Sequence, residues 1–135
     1  MAKRVLVVDD DEDMQDLLRQ ALETESYNVT VAQDGLAALE ILEQANPDLI
    51  LLDLMMPRMD GSAFAKELHN RGLVPSVPII VVSADVNAKQ KIETMGADGY
   101  ITKPFDLHRL LDEVAHFMEY LSKSDGTPTR SATSH

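Results

Sequence analysis

The stretch "DLILLDLMMPRMDG", Asp48 to Gly61, sets four consecutive apolar residues, Leu49 to Leu52, against a single carboxylate, Asp53, before the chain turns at Pro57 and Gly61. Four apolar residues bounded by turn signals read as a strand covered on both faces, the kind found in parallel sheets. A charge at the end of such a strand is costly unless something pairs with it. Asp53 therefore either meets water as a turn residue or belongs to a site.

The rest of the chain repeats the pattern. Apolar strand-like runs occur at Arg4 to Val8, Asn28 to Ala32, Asp48 to Leu52, Val77 to Val82 and Gly99 to Ile101. Amphipathic segments lie between them: Met14, Leu17, Leu18, Ala21 and Leu22 recur at helical spacing, Leu36, Leu39 and Leu42 mark a second helix, and Leu107 to Leu121 a last one. A third helix over about Ser62 to Arg71 has only Phe64, Ala65 and Leu68 as its stripe. A fourth, over about Asp85 to Met95, is weaker still, with Val86, Ile92 and Met95. Five strands alternating with five helices imply parallel strands joined by right-handed crossovers, an α/β doubly wound sheet with helices on both faces.

Composition narrows the function classes. The 135 residues are 44% hydrophobic and 26% charged, which suits one globular domain. There is no cysteine, so a disulfide framework, a thiolate metal site and a thiol nucleophile are all excluded. The formal net charge of −11, with no Lys/Arg cluster, disfavours direct binding to nucleic acid. The N-terminal apolar run, Val5 to Val8, is too short for a signal peptide or a membrane span, so a cytoplasmic protein without membrane insertion is expected. Residues 1–121 read as the domain, and the polar stretch Ser122 to His135 as a flexible tail or the start of a linker.

In an open parallel sheet, ligands bind outside the carboxyl ends of the strands. The first strand ends in Asp9, Asp10 and Asp11, the third in Asp53 and the fourth in Ser83, while Thr102, Lys103 and Pro104 follow the fifth. Carboxylates gathered there repel one another and need a cation, and an oxygen-only donor set selects a hard divalent ion, with Mg2+ the best fit. Lys103 offers a point charge to a phosphoryl oxygen and the Ser83 hydroxyl a hydrogen bond. Asp53 is then the natural nucleophile, able to take a phosphoryl group as an acyl phosphate. Each piece alone reads equally well as a helix cap, a turn residue or a loop dipeptide. Their coincidence at one sheet edge carries the weight.

With "VLVVDDD", "LILLDLMMPRMDG", "VVSAD" and "GADGYITKPF" in order and at matching spacing, the chain resembles the receiver domains of two-component response regulators over about Lys3 to Leu121. The resemblance implies a flavodoxin-like three-layer fold with strand order 2-1-3-4-5. It implies phosphorylation of Asp53, direct magnesium ligation by Asp10 and Asp53 and by the backbone carbonyl of Met55, and a role for Asp9 through a bound water. Ser83 and Lys103 would contact the phosphoryl group, Tyr100 would be the switch aromatic, and the Lys103–Pro104 bond would be cis. The phosphodonor would be a phosphohistidine on a sensor histidine kinase or phosphotransfer protein, and the output a changed surface for a downstream effector. Such a chain is a phosphoacceptor with only self-phosphotransfer and autodephosphorylation, acting alone or as part of a longer regulator.

Met55 and Asp85 would flank the phosphoryl group. Met55 cannot orient an attacking water; Asp85 could do so, although it also suits the first turn of a helix. The four histidines show no metal-ligand clustering. The alternative from the enzyme class, a magnesium-dependent phosphohydrolase with an Asp nucleophile, calls for a second Asp where Met55 stands and for a covering cap that no segment supplies. A flavin or nucleotide binder calls for a Gly-rich or Ser/Thr-rich loop after the first strand, where the chain has "DDDEDM".

Overall fold

The computed structural model describes residues 3–54, 61–72, 77–84, 93 and 97–124. In chain order the elements are β1 (Arg4–Val8), α1 (Glu12–Thr24), β2 (Asn28–Ala32), α2 (Gly35–Ala45), β3 (Leu49–Leu52), α3 (Gly61–Asn70), β4 (Ile79–Ser83), β5 (Gly99–Thr102) and α4 (Leu107–Ser124). The helix expected over about 85–95 falls outside the described residues except at Glu93, which is helical, and Met55 and Asp85 fall outside them too.

All five strands are parallel, in the order β2-β1-β3-β4-β5. The apolar runs are continuous because both faces are covered, and successive residues go to opposite cores. From β1, Leu6 and Val8 join Ile50 and Leu52 of β3 under Ala38 and Leu42 of α2 and Phe64 and Leu68 of α3. Val5 and Val7 join Leu49 and Leu51 under Leu18 and Leu22 of α1 and Leu110, Val114 and Met118 of α4. Burying a side chain of this size is worth about 1.5–3 kcal/mol. A polar substitution at Leu6 or Leu51, each 1% exposed or less, would strand a polar group between layers.

Two helix starts are fixed by carboxylates. Asp11 caps α1, its side chain accepting from the N–H groups of Asp13 and Met14, and Asp34 caps α2 by accepting from Ala37 at 2.8 Å. Gly99 in β5 packs under a ring of α4, since a Cβ there would sit 3.3 Å from the Phe117 ring and 3.4 Å from Ile80. The absent side chain lets the ring seat directly on the strand.

Candidate functional site

Three residues one step past their strands are held by one further rung of the ladder. The Asp9 N–H donates to the Ala32 carbonyl at 3.1 Å, the Asp53 N–H to the Val8 carbonyl at 2.9 Å, and the Lys103 N–H to the Ser83 carbonyl at 3.0 Å. Asp9 thus follows β1 against β2, Asp53 follows β3 against β1, and Lys103 follows β5 against β4. Their side chains converge over the carboxyl edge. The Lys103 Nζ lies 2.9 Å from Asp9 Oδ2 and 3.4 Å from Asp53 Oδ2.

Asp10 completes the cluster. One carboxylate oxygen from each of Asp9, Asp10 and Asp53 lies within 4.8 Å of the others. Asp9 and Asp53 are 2% and 6% exposed, whereas Asp10 faces solvent. Unit charges about 4 Å apart repel by about 1 kcal/mol in water and about 4 kcal/mol at an effective dielectric of 20. Three carboxylates against one ammonium leave a negative excess. The donors are all oxygens, one flank is open and the other buried, so the set fits a hard divalent cation that keeps several waters.

Burial alone would push the Lys103 amine down, but its hydrogen bond to Asp9 and the charges of Asp9 and Asp53 outweigh that and hold it above the ordinary lysine value of 10.5. The amine is a fixed positive charge between two carboxylates. A second anion brought to Asp53 would find it already in place.

Ser83, the last residue of β4, is fully buried and stands opposite Thr102 of β5. Tyr100 stands opposite Val81, two residues before Ser83, and packs half-buried against the core beneath α2 and α3. Because alternate residues share a face, Ser83, Val81 and Tyr100 belong to one side of the sheet. The Lys103–Pro104 peptide is cis, matching the expectation from the resemblance.

Asp11, which the sequence reading placed after the first strand but outside the cation site, has its carboxylate committed to the start of α1. The signal was present in an Asp immediately before a helical period. Sequence reading also passed over Gln15, whose side-chain amide donates to the Asp9 carbonyl oxygen. His69, His108 and His116 are exposed and lie outside the acidic cluster.

The sequence matches the response regulator receiver domain family over residues 5–115. Response regulator MprA of Mycobacterium sp. (strain KMS) is 36% identical over 135 residues, covering 98% of this chain and 58% of the relative. Response regulator MprA of Mycobacterium tuberculosis (strain ATCC 25177 / H37Ra) is 40% identical over 113 residues, covering 82% and 48%. The chain thus spans about half the length of these relatives. Among solved structures, a CheY-like response regulator receiver domain protein from Methanospirillum hungatei JF-1 superposes with a TM-score of 0.84 at 30% identity, covering 92% of this chain and 99% of that one. Response regulator TrrA from Thermotoga maritima, solved in complex with Mg2+-BeF, gives 0.76 at 31% identity, covering 85% and 98%.

Proposed function

The chain belongs to the response regulator receiver domain family, and on that footing we propose that it takes a phosphoryl group on Asp53 from a partner's phosphohistidine and answers by changing a partner-binding surface. The observation that carries the reading is the meeting of Asp9, Asp10 and Asp53 within 4.8 Å, with the Lys103 amine 3.4 Å from Asp53. An Asp53 oxygen attacks phosphorus, the bond from phosphorus to the donor imidazole breaks, and the imidazole leaves with the electron pair and takes up a proton. Asp10 and Asp53, with the Met55 carbonyl, would hold Mg2+ directly, and Asp9 would hold it through a water. When bound, the ion neutralises charge on the transferring oxygens. Lys103 orients and balances a phosphoryl oxygen from the opposite flank.

The Ser83 hydroxyl would donate to another phosphoryl oxygen, and its movement would give Tyr100, two residues along the same face, room to turn. Residues 1–121 would form this unit, with 122–135 a tail or the start of a linker, although α4 itself continues to Ser124. The donor would be a sensor histidine kinase or phosphotransfer protein and the receiver of the signal a downstream effector, in the cytoplasm. Among the described residues no helix is long and apolar enough to cross a membrane. The chain would act as a phosphoacceptor and switch, without turning over an external substrate. A phosphohydrolase is disfavoured, since Met55 stands where it needs its second Asp.

The test is incubation with acetyl phosphate and magnesium, followed by intact mass and peptide mapping. One acid-stable, base-labile phosphoryl group on Asp53 is expected, removed by chelator and by Asp53→Ala. Phosphate persisting in Asp53→Ala would move the site elsewhere.

A further inference from the structure

Asp9 has every polar atom engaged. Its N–H donates to the Ala32 carbonyl, Oδ1 accepts from the Asp11 N–H at 2.9 Å, Oδ2 accepts from Lys103 Nζ at 2.9 Å, and its carbonyl oxygen accepts from Gln15 Nε2. The Asp10 carboxylate, by contrast, makes no hydrogen bond or ion pair with another described residue. Its reach is set by where the backbone places its Cα and by the rotamer it takes from there. The peptide group joining Asp9 to Asp10 is planar, so fixing its oxygen fixes the plane and with it the bond leading to the Asp10 Cα.

Gln15 holds that oxygen. It sits in the first turns of α1, half-buried, on a helix anchored by the Asp11 cap and by Leu18 and Leu22 in the core. A carbonyl can be met only by a donor, so the amide nitrogen is the atom that must face it. The bond runs from a rigid helix back over six residues to the acidic loop. We infer that Gln15 is a positioning residue that locks the Asp9–Asp10 peptide plane and thereby aims Asp10 at the divalent cation, an inference that rests on the magnesium site proposed above.

Gln15→Leu and Gln15→Met remove the donor while keeping side-chain length and helix propensity close to those of Gln. The measurement is magnesium affinity, read from amide NMR shifts in a titration of the full chain, alongside melting without metal and acetyl phosphate labelling across magnesium concentrations. In both variants the magnesium Kd should rise about three- to tenfold, the order that one neutral hydrogen bond supports. Metal-free melting should fall by no more than about 3–5 °C, the size of one lost hydrogen bond, and labelling should fall at low magnesium but recover at saturation. Unchanged Kd in both variants, or a drop in melting with unchanged Kd, would overturn the inference and leave the site reading intact. No magnesium response in the unsubstituted protein would overturn both.

Discussion

Aspartates stand at both edges of the sheet and do opposite things there. Where the strands begin, Asp48 accepts the Arg4 N–H at 2.8 Å and returns its own N–H to the Arg4 carbonyl at 2.8 Å. Asp98 does the same with Ile79, at 3.0 and 2.8 Å. Each closes a two-bond clasp across neighbouring strands. Where the strands end, Asp9, Asp10 and Asp53 face one another and a single lysine. Parallel strands open with unpaired N–H groups and close with unpaired carbonyls, so a carboxylate finds donors at one edge and needs a foreign cation at the other. Of these five, the two that precede a strand clasp its neighbour and the three that follow one form the cluster, whereas Asp11 and Asp34 at the same carboxyl edge find the N–H groups of helix starts instead.

The largest expected contrast is in phosphoryl transfer. Asp10→Ala should lower the labelling rate by more than the about 10- to 100-fold typical of losing even an outer-shell metal partner, while Asp48→Ala and Asp98→Ala leave it unchanged. Equal sensitivity at the two edges would erase the distinction.

Stability should respond with opposite sign. Without metal, Asp53→Asn relieves repulsion while Lys103 keeps its bond to Asp9, so melting should rise by several degrees; a gain of about 1 kcal/mol is worth about 3–5 °C in a domain of this size. Magnesium should stabilise the unsubstituted protein more than this variant. Asp98→Ala should instead lose about 1–2 kcal/mol, measured by urea unfolding, because it opens a clasp and leaves the Ile79 N–H unpaired. A loss from both substitutions would show that repulsion does not govern the acidic edge.

The smallest effects are in pH dependence. The Lys103 amine is raised by its carboxylate partners, so its contribution is fully present below pH 10.5 and is lost as pH rises through the raised value. Lys103→Met should flatten the alkaline limb of the metal-free stability profile. Partial desolvation at the start of β5 raises the Asp98 carboxyl above 3.8, only partly offset by the Ile79 N–H, although the residue keeps one side in solvent. Its protonated form therefore favours the fold below pH 3.8, and that contribution fades as pH rises through the raised value. Asp98→Asn should flatten the acid limb, and an unchanged slope would argue against the desolvation.

The strands were legible because two-sided burial writes itself as unbroken apolar runs: Arg4 to Val8 and Asn28 to Ala32 were read with their observed limits. Asp48 was read into its strand and falls just outside, since its side chain is the clasp on Arg4. The strand order came from the family resemblance, because apolar period says nothing about which strand lies beside which. The convergence of Asp9, Asp10, Asp53 and Lys103 was legible from their place after successive strands. Gln15 was not, because a side-chain amide reaching a loop carbonyl six residues back follows no helical or strand period and exists only once the loop has its shape.

The extra rung under Asp9, Asp53 and Lys103 has a consequence in time as well as in space. Their amide hydrogens are donors in the same ladder that joins the strands, so they should exchange with solvent on the slow schedule of the sheet rather than that of a loop. For any of the three to drift from its place, a strand end must first part from its neighbour. At Asp9, Asp53 and Lys103 the backbone therefore loosens only with the sheet, whereas the side chain of Asp10 faces solvent.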